Sequence, residues 1–220
     1  MALQIDVISD VVCPWCFIGQ KKLARALEVY REKNPAGNAP KVAWHPFQLN
    51  PDMPDAGVDR GDYLERKFGG RSAEIYARVS AAGAKVGIPF AFDKVTRQPN
   101  TLAAHSLIAL AGDAGLQGGL VEALFRAYFI DSRDLTANAT LSAIACAAGL
   151  AKEEVDACLA SPQAREHVQA EDSQARRIGV DGVPFFIFNR RHSVAGAHDP
   201  EVLVDAMLKS EREAPVANDA

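Results

Sequence analysis

Cys13-Pro14-Trp15-Cys16 is the run of this chain best suited to chemistry. It follows an alternating Ile/Val-rich stretch, Leu3 to Ser9. It opens another, Cys13 to Glu32, in which Phe17, Leu23, Leu27 and Tyr30 recur at helical spacing. Cys13 therefore falls near a helix N-cap. Pro14 suits the first helical position because that position needs no N–H donor. Unpaired backbone N–H groups and the positive end of the helix dipole then face the Cys13 sulfur and favour a thiolate. An ordinary thiol, with a pKa of about 8.5, is only a few per cent ionised at pH 7, so this help bears directly on nucleophilicity. Cys16, one turn on, lies on the same side of the helix, where it can attack a mixed disulfide formed at Cys13.

Two other uses of the pair compete. A zinc site wants a second Cys or His pair at suitable spacing. The remaining cysteines, Cys146 and Cys158, fall in helical patterns with no pairing motif, and no metal is expected. Two buried cysteines by coincidence is the other reading. A C-x-x-C that opens a helix after a strand favours redox chemistry over both.

The elements that must hold this pair follow from the same periodicities. Val42 to Phe47 reads as a second strand, after turn residues at 34–38, so the first fifty residues have the length of a βαβ unit. From about Asp59 to Ala160 the pattern is almost wholly helical. Candidates are Asp62–Phe68, Ala73–Val86, Thr101–Ala114, Gly119–Phe129, Ala139–Ala148 and Lys152–Leu159. Pro162 to Ile178 is a further helix, polar over much of its surface. Gly182 to Phe188 reads as a strand with Pro184 at its start, Asn189 to His192 as a turn, and Ser193 to Ala195 as a short partner strand. Asp199, as N-cap, and Pro200 begin a last helix that runs to Arg212. A proline at Val183-Pro184 marks either the first residue of an edge strand or a cis peptide.

Composition bounds the rest. The 220 residues are 48% hydrophobic and 24% charged, enough apolar material for a sizeable core. Four cysteines are too few for a disulfide framework. The net charge of −4 leaves no basic footprint for nucleic acid. Asp6 and Asp10 interrupt the N-terminal apolar residues, which argues for a strand and against a secretory signal. No apolar run is long enough to span a membrane. The expected compartment is the cytoplasm, where cysteines are normally reduced.

Several runs together resemble the DsbA-like branch of the thioredoxin superfamily, and more closely its cytoplasmic FrnE-type members. They are Asp10 to Gly19, Phe47-Gln48-Leu49-Asn50-Pro51, Asn100-Thr101 with Ala104-His105, Gly179 to Phe186, and Ala195-Gly196-Ala197. The resemblance spans nearly the whole chain. It implies an α/β thioredoxin fold with an inserted all-α helical domain. Residues 1–54 and 161–213 would form the thioredoxin-like part, 55–160 the insertion, and 214–220 a flexible tail. It implies that Cys13 attacks and Cys16 resolves. It also implies that Pro184 is cis beside them, and that the Val183 backbone offers strand-like hydrogen bonds to substrate. Pro14 and Trp15 would touch substrate too. Trp15 brings a flat apolar surface but no charge, so a milder stabilisation of the thiolate is expected than where His stands in the motif.

The implied activity is thiol–disulfide exchange on protein or small thiol substrates. It needs no cofactor beyond the Cys13–Cys16 disulfide, with glutathione as a possible co-substrate. Two alternatives stay open. One is a glutathione-dependent isomerase or transferase of the hydroxychromene-carboxylate isomerase or kappa type, which shares the fold but typically has a lone Ser or Cys in place of the first cysteine. The other is a chaperone-like module that binds extended peptides. Asn100 and His105 are candidates for the wall of the cleft, with helix packing or capping the plainer use of His105. Asp10, just before the motif, serves a turn or proton transfer to Cys16. Cys146 and Cys158 read as bystanders. Substrate, recycling partner and oligomeric state leave no mark in the sequence.

Overall fold

Alternating burial in the first strand sets the architecture. The computed structural model describes residues 2–35 and 37–212. Ala36, in the first turn, and the expected tail at 214–220 lie outside the described residues. β1 (Gln4–Ser9) places Ile5 and Val7 in the large apolar cluster and Ile8 in a smaller one with Phe47, Ala175 and Val180. That two-residue alternation identifies a strand covered on both faces. β1 leads through Asp10, Val11 and Val12 into α1 (Pro14–Lys33). β2 (Lys41–Pro46) returns parallel to β1, with Val7 opposite Trp44.

The chain then leaves the sheet. β3 (Val58–Asp59), α2 (Arg60–Phe68), α3 (Ser72–Ala84) and β4 (Arg97–Gln98) come first. α4 (Leu102–Asp113), α5 (Gln117–Phe129), α6 (Asn138–Ala147) and α7 (Lys152–Ala160) follow. The helical expectation for this stretch is met except at β3 and β4, which pair as a two-residue antiparallel ribbon. Each half of that ribbon is too short to show a period of two. α8 (Pro162–Arg177) begins at Ser161, whose Oγ accepts from the Ala164 N–H. β5 (Phe185–Phe188), β6 (His192–Ala195) and α9 (Pro200–Arg212) complete the chain.

The sheet order is β2-β1-β5-β6, with β5 antiparallel to both β1 and β6. α1 packs on α9, while α4, α5 and α8 contact β2. β2 is an edge strand, and an edge exposes unpaired backbone groups. Here the Gln117 side chain covers part of it. Its Oε1 accepts from the Trp44 N–H at 2.8 Å, and its Nε2 donates to the Trp44 carbonyl at 3.0 Å. Phe17, on the first turns of α1, stacks on Phe125 of α5 at 5.1 Å and meets Phe90 edge-on at 6.1 Å. The dithiol helix is thereby fixed to the helical layer through an apolar contact close to its reactive end.

Candidate active site

Cys13 is the N-cap of α1, with extended backbone angles and Pro14 at the first helical positions. Its own N–H donates to the Asp10 carbonyl at 3.0 Å. Its carbonyl accepts from the N–H groups of Cys16, at 3.0 Å, and Phe17, at 3.4 Å. No side chain caps this helix end, so the dipole of α1 acts on Cys13 uncompensated. Cys13 is buried to 5% exposure and Cys16 to 0%, whereas Trp15 between them is 40% exposed. Both cysteines are free thiols. Burial, then the hydrogen bond and charge interaction with Cys13, hold the Cys16 thiol well above its ordinary pKa. Cys16 is therefore kept as a neutral thiol, and Cys13 is the sulfur nearer to solvent.

The second wall comes from the other end of the chain. The Val183–Pro184 peptide is cis. The Cys13 S–H donates to the Val183 carbonyl at 3.5 Å, across 170 positions of sequence. The Pro184 carbonyl accepts from the Gly196 N–H at 2.7 Å, which ties this loop to the end of β6. Gly19 explains the close approach of α1 to this loop. A Cβ there would stand 2.9 Å from Pro184 Cγ and 3.2 Å from Phe186 Cζ. Gly19 stood inside the motif run as part of a pattern; its steric reason emerges only in three dimensions.

Below the pair lies a polar floor. The Asp10 carboxylate accepts from the Leu49 N–H at 2.8 Å and, at 3.5 Å, from the Val12 N–H. Its Oδ1 lies 3.4 Å from His105 Nε2, but that nitrogen makes no aligned hydrogen bond. His105 is 2% exposed and sits beneath the site, in keeping with the plainer packing use rather than the cleft-wall one. α4 packs on β2 and carries it inward. Asn100 is half-buried and works as a strut: its Oδ1 accepts from Gln48 Nε2 and the Leu102 N–H, and its Nδ2 donates to the Met53 carbonyl. From α8, Asp172 accepts from the Gln48 N–H at 2.7 Å, and Arg176 donates to the Gln48 carbonyl at 2.5 Å. Residues 47–50 are thus held from three directions, which fixes the loop that carries Leu49 to Asp10.

The structure brings together Cys13, Cys16, Pro14, Trp15, Val183 and Pro184. Cys146 and Cys158 lie apart on α6 and α7, each half-buried. The sequence reading did not single out Arg60, which is 4% exposed. It donates to the hydroxyls of Tyr76, at 2.5 Å, and Tyr128, at 3.0 Å, and to Gln98 Oε1. Its guanidinium lies 5.5 to 5.8 Å from the rings of Tyr63, Tyr76 and Tyr128. A single arginine in a polar helical run gives no sign that it is buried; three tyrosines nearby in space, but not in sequence, are its environment. Chemically, the site offers a near-surface sulfur at a helix N-terminus, a buried second sulfur, and a backbone carbonyl facing the first. That is the equipment for forming and resolving a mixed disulfide.

The DSBA-like thioredoxin domain family matches residues 4–208. The crystal structure of a probable DsbA oxidoreductase from Streptomyces coelicolor is 28% identical, with a TM-score of 0.86 over 97% of this chain and 92% of that one. The cytosolic disulfide reductase DsbM from Pseudomonas aeruginosa, solved with GSH, shares the fold. It is 19% identical, with a TM-score of 0.58 over 94% of this chain and 95% of its own. The uncharacterized protein YwbO of Bacillus subtilis (strain 168) is 24% identical over 135 residues, which span 61% of this chain and 60% of that protein. Among the described residues, no helix is long and apolar enough to cross a membrane.

Proposed function

The chain belongs to the DSBA-like thioredoxin domain family, and from that premise we propose that it is a thiol–disulfide oxidoreductase acting on protein thiols and disulfides, with Cys13 as the attacking and Cys16 as the resolving sulfur. The observation that carries this reading is the difference between the two sulfurs. Cys13 stands at the uncapped N-terminus of α1, and Cys16 is wholly buried one turn later. In the reducing direction, the Cys13 thiolate attacks one sulfur of a substrate disulfide. One substrate sulfur leaves with the bonding pair, and the other stays on Cys13. Cys16 then gives up its proton and attacks the Cys13 sulfur, the Cys13–substrate bond breaks, and the second substrate thiolate departs. The substrate gains two electrons and the Cys13–Cys16 pair loses them. Oxidation is the same sequence reversed. The Val183 carbonyl 3.5 Å from Cys13 Sγ supports a substrate segment paired along this loop as an added strand. A cytoplasmic setting belongs to the same proposal, supported by the likeness to DsbM, which is described as cytosolic.

The test is Cys16→Ala in the full chain. Without its resolving sulfur, Cys13 should retain substrates as mixed disulfides that reducing agent releases. Protein adducts lost on further replacement of Cys13 by Ser bear the reading out. Adducts of glutathione alone move the assignment to a glutathione-dependent isomerase or transferase. Peptide binding that persists unchanged in Cys13→Ser, with nothing trapped covalently, moves it to a peptide-binding module.

A further inference from the structure

An open groove of about 510 Å³ lies between the loop at residues 49–54 and helix α2. Its floor starts at Leu49, whose N–H is bonded to Asp10 three residues before Cys13. Leu49 also packs against the apolar cluster that Val183 joins. Leu49 thus links the lining of the groove to the residues packed around the dithiol. Its outer wall carries Arg66 and Lys67, both exposed.

These two cations are held by neutral oxygens. Arg66 Nε donates to the Asp62 carbonyl at 3.2 Å. Lys67 Nζ donates to the Tyr63 hydroxyl at 2.6 Å, and that hydroxyl donates to Asn50 Oδ1 at 3.2 Å. Neither cation has a carboxylate partner among the described residues. Arg60 lies behind them with its guanidinium 5.8 Å from the Tyr63 ring; its side-chain partners Gln98, Tyr76 and Tyr128 are also neutral. Asp52 is the one carboxylate lining the groove. Two cations, Arg66 and Lys67, against the one anion, Asp52, leave the lining of the groove positive on a chain whose net charge is −4. Each cation retains donor capacity that a carboxylate would use better than the neutral oxygens do.

On the disulfide-exchange reading above, we propose that this groove is a subsite for acidic residues flanking the reactive cysteine of an extended polypeptide substrate. Its openness favours a passing chain: small-molecule sites enclose most of their ligand, whereas these cations stand on an exposed rim. Complementary charge at such a rim acts mainly on encounter rate and is weakened by salt.

The experiment compares the wild-type full chain with the double variant Arg66→Glu, Lys67→Glu on three substrates. Two are disulfide-bonded peptides that differ only in Asp and Glu against Ser and Gln beside the cysteine; the third is oxidised glutathione. The wild type should prefer the acidic peptide, and the preference should shrink as salt rises from about 0.05 to 0.5 M. The variant should lose about tenfold in kcat/KM on the acidic peptide and less than about twofold on the neutral one. Asp52→Asn should shift the preference the other way, toward the acidic peptide. Equal losses on both peptides, no acidic preference in the wild type, or a loss confined to glutathione would each overturn the proposal. Wild-type turnover no greater than that of Cys13→Ser on every substrate removes the disulfide-exchange reading itself, and this subsite with it. That result is distinct from turnover without charge preference, which removes the subsite alone.

Discussion

His105 Nε2 stands 3.4 Å from Asp10 Oδ1, and the two side chains are 1% and 0% exposed. The contact joins α4 to the turn that launches α1, so the helical layer reaches the dithiol from underneath. Cys16 and Tyr128 on α5 also interact electrostatically with Asp10, and Glu171 on α8 with His105. A buried carboxylate is costly unless its oxygens are engaged. Asp10 accepts from two backbone N–H groups, with this imidazole packed beside it.

Replacing His105 by Ala should destabilise the protein by about 3 kcal/mol, because it opens a cavity in the buried space beside Asp10. His105→Gln, which keeps a polar group in that space, should cost less than half as much. Urea unfolding at pH 7 measures both. A loss below about 0.5 kcal/mol for the Ala variant would show that the contact contributes nothing.

His45 governs a pH dependence of stability. The hydrogen bond to Asp6 at 3.1 Å, and then Glu171 at 3.8 Å, push its pKa up to about 9. A group raised on folding stabilises fully below its unfolded pKa, about 6.5, and that contribution fades as pH rises through about 9. The same contacts lower Asp6 and Glu171, so at the acid end the stabilisation is lost as those carboxylates protonate. These are one set of contacts seen from both sides, and His45 is more than a third exposed, so the total is about 1 kcal/mol or less. The stability difference between wild type and His45→Gln should be largest at about pH 5 to 6.5 and vanish above about pH 9. A difference that grows with pH contradicts this.

Gly19→Ala sets two effects against each other. Alanine favours the helix by about 1 kcal/mol. Its Cβ would meet Pro184 Cγ at 2.9 Å and Phe186 Cζ at 3.2 Å, both on packed side chains, and overpacking of this kind costs about 1–3 kcal/mol. The clash should win, and because Pro184 follows the carbonyl facing Cys13, alkylation of Cys13 should change rate as well. Unchanged stability with unchanged alkylation would mean that α1 shifts freely.

Arg60 allows a test of asymmetry. Arg60→Met removes a buried charge and fills its space, and should change stability by no more than about 1 kcal/mol. Tyr128→Phe leaves the charge and deletes a hydroxyl that accepts from it at 3.0 Å, and should cost about 1.5–3 kcal/mol. Chemical denaturation of the two variants side by side decides it. The reverse order would show that Arg60 contributes net stability.

The local grammar of this chain was open to reading because each element agrees with its own sequence. Pro14 after Cys13 announces the start of α1, Pro162 that of α8, and the alternation from Leu3 to Ser9 the strand β1. Other features had no local signal. β3 and β4 have two residues each and pair across 38 and 40 positions. Arg60 reads as a surface charge until its tyrosines converge. His105 left packing and a cleft role both open, because nothing within α4 says which side turns toward Asp10. The grip of Asp172 and Arg176 on Gln48 crosses more than 120 positions and depends on α8 packing on β2.

The contact between Cys13 and Val183 also has a meaning in time. The chain is made from its N-terminus, and β1 pairs with β5 only after residue 188 has left the ribosome. Until then the two cysteines exist without the carbonyl and the proline loop that face them, and Gly19 has nothing to lie against. The dithiol emerges 170 residues ahead of the carbonyl that faces it. A nascent chain therefore carries both sulfurs through about 170 further residues of synthesis before the Val183 carbonyl can face Cys13.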